Sequence, residues 1–221
     1  MPLATDLLAY AITFAVMAIP MLLAITLHEA AHAYTAFLFG DKTAYNLGRV
    51  SLNPIKHIDP VGTILIPILS YAATGLYFGW AKPVPIDYHS LFQPKKDMFW
   101  ISIAGPGANV FMLIIWVTLL FAVEPISQES LFAGWILRQM CTAGIVINIS
   151  LALLNILPIP PLDGSRLVAR FLKGRNLIKW RQADNYGLWI VVVLGVTGIL
   201  GLFLTPMVRK SYELIQLIAP L

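Results

Sequence analysis

The stretch "AITLHEAAHAYTAFLFG", residues 24–40, decides how this chain is read. Inside an otherwise apolar run it sets His28, Glu29 and His32 within five positions. On a helix, residues i and i+4 share a face. His28 and His32 can therefore aim two imidazoles at one cation, with Glu29 close enough to take a proton from a water there. The residue types suit the chemistry, since neutral imidazole is a good zinc ligand and zinc lowers the pKa of water to about 7. On a polar surface helix the same short pattern is often chance. Inside a membrane span an ionisable group costs at least ~2.5 kcal/mol and is functional by default.

The composition makes that run a span. Of 221 residues, 58% are hydrophobic and only 12% charged, with a mean hydropathy of +0.78. Soluble domains carry roughly 25% charged residues, so lipid must solvate much of this chain. A helical span needs about 20 apolar residues. Five stretches of comparable length, 7–28, 60–81, 98–123, 139–162 and 185–208, lack Asp, Glu, Lys and Arg altogether. The fold class expected is an all-α polytopic membrane protein with four to five transmembrane helices, and residues 1–221 are expected to form a single domain. The start of the chain has no basic region before its long apolar run, so no cleavable leader is expected. Cys141 is the only cysteine, so no intrachain disulfide can form; it reads as a small packing residue.

The net charge of +4 does not point to nucleic acid, because the basic residues are dispersed between apolar segments. Residues 40–60 hold Lys42, Arg49 and Lys56, residues 80–97 hold Lys82, Lys95 and Lys96, and residues 158–185 hold six cations. Residues 124–137 hold none before Arg138, only Glu124 and Glu129. Positive residues stay inside, which places the first three loops in the cytoplasm and the fourth outside. Both flanks of 60–81 are then cytoplasmic. Either the charge rule fails once or the segment enters and returns; the latter is favoured by Pro67, Gly75 and Gly79 and is allowed only where protein covers the irregular backbone.

Two histidines do not complete a catalytic zinc site, which takes about three protein ligands. Thr35 and Leu38 stand where an extended H-E-x-x-H-x-x-G-x-x-H motif would need Gly and His. His57, Asp59, Asp163 and, farther along a polar loop, His89 are the candidates for the third ligand. Asp163 stands out in "NILPIPPLDGSR", 155–166. Pro158, Pro160 and Pro161 end the fourth apolar segment, the carbonyls they free need a polar setting, and Asp163 follows in a D-G turn. By charge, this end and the His28–His32 end lie on the same membrane side, so the two can meet at one depth.

These motifs, "HEAAH" at 28–32, "AGPGAN" at 104–109 and "NILPIPPLDG" at 155–164, resemble the site-2 protease family of intramembrane zinc metalloproteases. "LGRVSLNPIKHIDPVGT" at 47–63 and "FGWAKPVP" at 78–85 resemble its compact bacterial branch, without PDZ or CBS domains. The resemblance spans nearly the whole chain, with three separated motifs in order. It implies that His28, His32 and Asp163 bind one zinc, that Glu29 is the catalytic base, and that a peptide bond in or near a substrate's transmembrane segment is cut. It also favours a catalytic role for Asn155, an amide able to donate to a developing oxyanion. Asn109 is a candidate for holding substrate backbone, whereas Asn148 reads as packing between helices.

Gly105, Pro106 and Gly107 are expected to let helices approach beside the histidine helix. "AYNLGRVSLN", 44–53, alternates enough to suggest a short β-strand or hairpin near the site, able to pair with an unwound substrate. Lys82, Pro83, Val84 and Pro85 are expected to form the other wall of that groove, or else a proline-stiffened surface loop. His57 reads as a turn-stabilising residue and His89 as solvated. The expected partners are a single-span membrane protein as substrate and the lipid bilayer, with no nucleic acid. The expected location is the cell inner membrane, multi-pass, with the site toward the cytoplasm. A metal-ion transporter would need ionisable residues along the outer halves of the spans, where almost none occur; a non-catalytic scaffold would have no use for the intact His28, Glu29, His32 and Asp163.

Overall fold

The structure, a computed structural model, describes residues 2–69 and 79–219. Among these, every regular element is helical: α1 (Pro2–Leu38), α2 (Thr43–Asn46), α3 (Pro94–Glu129), α4 (Leu131–Ile156), α5 (Asp163–Ala169), α6 (Gly174–Gln182), α7 (Asp184–Val196) and α8 (Ile199–Gln216). Three helical stretches are long and apolar enough to cross a membrane: Ile12–Leu38, Pro94–Ile126 and Leu131–Ile156. At 1.5 Å per residue, the shortest, of 26 residues, extends about 39 Å, more than the roughly 30 Å hydrocarbon core. A fourth span exists if α7 and α8 are taken together, although they bend by 74° at their junction. The bend falls at Gly198, whose φ of +76° suits a residue without a Cβ. The expected four to five spans thus correspond to three, or up to four, among the described residues.

The described residues form two compact units, 1–24 with 106–221, and 25–105. In the first, α4 packs on α8 and α5, and α5, α6, α7 and α8 pack in succession. A Cβ on Gly144 would strike the Trp116 indole, so that glycine is what lets α3 and α4 close. Beside it, the fully buried Asn109 donates to the Asn148 amide oxygen (3.0 Å) and to the Ala24 carbonyl (3.4 Å), while Asn148 donates to the Gly144 carbonyl (2.8 Å). In lipid such ties average about 0.6 kcal/mol each. Together they link α1, α3 and α4.

The second unit is built on 25–38 of α1 and the first turns of α3. Ala36, Leu91 and Ile101 form one buried cluster, with Phe39, Ile86, Tyr88 and Met98 against it. Ala33, Ala44 and Val84 form another, flanked by Val50. The strand expected over 44–53 is not formed. Residues 44–46 belong to α2, Asp41 accepts the Thr43 amide (2.8 Å), and Gly48 at φ +66° turns the chain so that the Arg49 amide bonds the Ala44 carbonyl (2.9 Å). Asn53 then accepts the Ile55 amide of a single 3₁₀ turn, Pro54–Lys56. Local side-chain caps outweigh a weak alternation.

The interior of the expected re-entrant segment, 70–78, lies outside the described residues, but its two ends are clear. Asp59 accepts the Val61 and Gly62 amides (3.0 and 2.7 Å) and starts a wide helical turn, Pro60–Leu65. At the far end the Trp80 amide donates to the Gly62 carbonyl and the Lys82 amide to the His57 carbonyl, both at 3.0 Å. Thr63 Oγ1 accepts the Asp59 amide (3.0 Å) and donates to the Trp80 carbonyl (2.9 Å). The two ends are thus bonded directly to each other. Thr63→Val removes the hydroxyl from both bonds and should destabilise the protein by about 1–3 kcal/mol. Thermal unfolding in detergent checks this, and an unchanged midpoint would show that the clasp contributes nothing.

Candidate metal centre

His28 and His32 are buried, at 7% and 4% exposure, and their Nε2 atoms lie 3.1 Å apart. The rings meet edge to face at 84°, with centroids 4.7 Å apart. His32 Nδ1 lies 2.7 Å from the Ile101 carbonyl. A carbonyl only accepts, so Nδ1 carries the hydrogen and Nε2 of the neutral ring presents a lone pair. That is the tautomer a metal-binding histidine needs, held by the kind of partner such ligands use. Two nitrogens on one tetrahedral zinc at 2.0–2.1 Å would lie about 3.3 Å apart. The observed pair fits a zinc ion.

Room for the pair comes from α3. A Cβ at Gly105 would collide with His32 Nε2 and lie 2.7 Å from His28 Nε2, whereas one at Gly107 would meet nothing within 4 Å. The expectation that small residues of "AGPGAN" permit close approach therefore rests on Gly105.

Glu29, half-buried on α1, accepts the Val84 amide on Oε2 at 2.8 Å. Val84 belongs to the strap Lys82–Pro85, which is pinned from the other side: Arg49 Nη2 donates to the Lys82 carbonyl and Nη1 to the Pro83 carbonyl, both at 2.6 Å. Arg49 is itself buried. Burial pulls its pKa down and the Glu29 charge pulls it back up; guanidinium stays charged throughout. The strap's Lys82 and Val84 amides and its Lys82 and Pro83 carbonyls are therefore all bonded within the protein.

In the other unit, Asp163 is the first residue of α5 and is buried, with Arg166 Nη1 at 3.6 Å from Oδ1. A Cβ at Gly164 would strike the Ile156 and Leu157 carbonyls, so the D-G pair can fold only as written against the end of α4. Asn155, in the last turn of α4, spends one amide hydrogen on the Leu151 carbonyl (3.0 Å). The other candidate ligands serve elsewhere. His57 is buried in its own loop, Nε2 on the Ser51 carbonyl (2.8 Å) and Nδ1 without a partner. Asp59 caps the wide turn, and His89 is exposed. Sequence reasoning passed over Arg49 and the Ile101 carbonyl. A cation within a weakly alternating stretch between apolar segments looks like a loop charge, and a backbone acceptor leaves no mark in the sequence.

The model of Peptidase family M50 matches residues 16–197. "Putative zinc metalloprotease YwhC" of Bacillus subtilis is 38% identical over 196 residues, covering 88% of this chain and 86% of its own. "Putative zinc metalloprotease Rip2" of Mycolicibacterium smegmatis is 30% identical over 190 residues, covering 86% and 70%. The protein of the same name from Mycobacterium tuberculosis H37Rv is 29% identical over 85% of this chain and 69% of its own. No solved structure matches. The Gly105 geometry gives a paired test: Gly105→Ala should lose bound metal, while Gly107→Ala keeps the wild-type content. Metal analysis of the purified variants decides it, and equal content in both would contradict the geometry.

Proposed function

We infer that this chain, which belongs to Peptidase family M50 and is a zinc metalloprotease of the site-2 type, hydrolyses a peptide bond within or near the transmembrane segment of a single-span membrane protein. The observation that carries this is the buried His28–His32 pair with a locked His32 tautomer, on a helix long enough to cross the bilayer. One zinc per chain would be held by His28, His32 and Asp163. Asp163 is the choice because His57 and Asp59 are engaged in their own turns and His89 is exposed. Bound there, zinc would supply a Lewis acid that polarises a carbonyl and acidifies water.

The rest of the reaction falls to the chain's own groups. Glu29 has Oε2 on the Val84 amide and Oε1 to accept the proton of the attacking water, which it then delivers to the leaving amine nitrogen. The second amide hydrogen of Asn155 would donate to the carbonyl oxygen as it gains charge. Asn109, fully buried and bonded to Asn148 and the Ala24 carbonyl, acts by tying the turn before His28 to its neighbours. The strap Lys82–Pro85 would flank the substrate, with Lys82 and Pro83 at its exposed edge. A helical substrate hides its carbonyls in hydrogen bonds and must unwind first, which small or helix-breaking residues ease.

The membrane setting follows. We take the chain to be a multi-pass protein of the cell inner membrane, with α7 and α8 as a fourth, broken span and 60–81 as a re-entrant segment. The basic loops at 40–60, 80–97 and 158–185 would put the site toward the cytoplasm. The bilayer and the single-span substrate are the partners, and nucleic acid is not one.

Glu29→Gln keeps shape but removes the base. At zinc content equal to wild type, it should cut a detergent-solubilised single-span substrate 10²–10⁴-fold more slowly. Equal rates would end the assignment of Glu29, and an inactive wild type would end the reading itself. His28→Ala, His32→Ala and Asp163→Ala should each lose zinc. Retention in Asp163→Ala alone would return the third ligand to His57 or Asp59.

A further inference from the structure

We propose that Arg49 is a positioning residue for peptide hydrolysis: it clamps the Lys82 and Pro83 carbonyls so that the Val84 amide holds Glu29 Oε2 and leaves Oε1 turned to the reacting water. This rests on the role of Glu29 inferred above.

The argument starts from backbone supply. Pro83 and Pro85 have no N–H, so the strap offers only the Lys82 and Val84 amides. Lys82 spends its amide on the His57 carbonyl at 3.0 Å, which anchors the strap to the 51–57 loop. Val84 spends its amide on Glu29 at 2.8 Å. The Val84 side chain is buried against Ala33 and Ala44; Ala33 lies one turn beyond Glu29 on α1. What fixes the direction of the Val84 amide is the peptide before it, and the carbonyl of that peptide belongs to Pro83. Arg49 holds this carbonyl and the preceding one at 2.6 Å each with its two terminal nitrogens.

Only a guanidinium does this. Its planar fork presents two parallel donors at fixed separation, whereas a lysine ammonium is a point charge on a flexible stem. A carboxylate free to rotate would find both oxygens equivalent and the approach to water poorly set. Misplacement of a reacting group by an ångström can cost about 10²-fold in rate. The clamp therefore acts on the chemical step and not on metal capture, because neither Arg49 nor the strap supplies a ligand. With the Lys82 and Val84 amides and the Lys82 and Pro83 carbonyls bonded to His57, Glu29 and Arg49, these four groups are not free to pair with substrate.

The test combines a kinetic and a structural readout on the full-length protein in detergent. Arg49→Lys keeps the charge and loses the fork; Val84→Pro keeps Arg49 and deletes the donor. Both should retain zinc and KM within about twofold of wild type and lower kcat by roughly 10-fold to 10²-fold. Hydrogen exchange followed by mass spectrometry on a peptide containing the strap reads the Val84 amide directly. That amide should exchange faster in Arg49→Lys and in Glu29→Ala than in wild type, with no substrate present. An unchanged kcat in both strap variants of an active enzyme, or an unchanged Val84 exchange rate in Arg49→Lys, would overturn the proposal. If Arg49→Lys fails to fold, Val84→Pro decides on kcat, and Glu29→Ala decides whether the amide is held by Glu29 at all. An inactive wild type with fast-exchanging Val84 in Glu29→Ala would overturn the protease reading while leaving the clamp in place.

Discussion

The bond from His32 Nδ1 to the Ile101 carbonyl is the constraint on which this site depends. An imidazole buried in a membrane helix has two nitrogens and one hydrogen, and without a partner either could carry it. A carbonyl at 2.7 Å removes the choice. Ile101 also sits one helical turn before Gly105, the residue whose missing Cβ gives both rings their space. One turn of α3 thus sets the tautomer and the clearance together. Burying two imidazoles in a span is costly, and the cost suits a pair that binds a cation.

Around that turn, residues 41–69 and 79–93 hold only loops and short helical turns between two long helices. Buried backbone outside long helices must find partners for its polar groups, and here short acidic and hydroxyl side chains supply them. Asp41 takes the Thr43 and Asp87 amides, Asp59 those of Val61 and Gly62, Asp87 that of His89, and Asp97 that of Gln93. Asp41 is wholly buried and Asp97 nearly so, which a carboxylate tolerates when backbone amides supply its hydrogen bonds. The Asp87 carboxyl is held below the usual range by the Ser90 hydroxyl and the His89 amide. Arg49 closes the arrangement on the side facing Glu29.

Much of this was legible beforehand because the signals are local and chemically expensive. A histidine pair four residues apart in a charge-free run, glycines opposite it, and a proline-ended span running into Asp163 each break an otherwise apolar pattern. What escaped was set by long-range geometry or by weak local preference. The alternation of 44–53 gave way to the Asp41 and Asn53 caps and the turn at Gly48, since those bonds form within a few residues and need no partner strand. The break at Gly198 divides what composition reads as one apolar run, because hydropathy carries no direction. Arg49 looked like one more cytoplasmic cation, because its carbonyl acceptors lie 33 and 34 positions away and any residue type could provide them.

The step that most needs testing is the proposal that His28, His32 and Asp163 would hold one zinc. X-ray absorption at the zinc edge of the purified protein tests it most directly. The account predicts a four-coordinate site with two imidazoles and the remainder oxygen, as catalytic zinc with mixed nitrogen and oxygen ligands shows. The two-imidazole signature should disappear in His32→Ala. An all-oxygen shell, a sulfur ligand from Cys141, or three imidazoles drawing in His57 would contradict it.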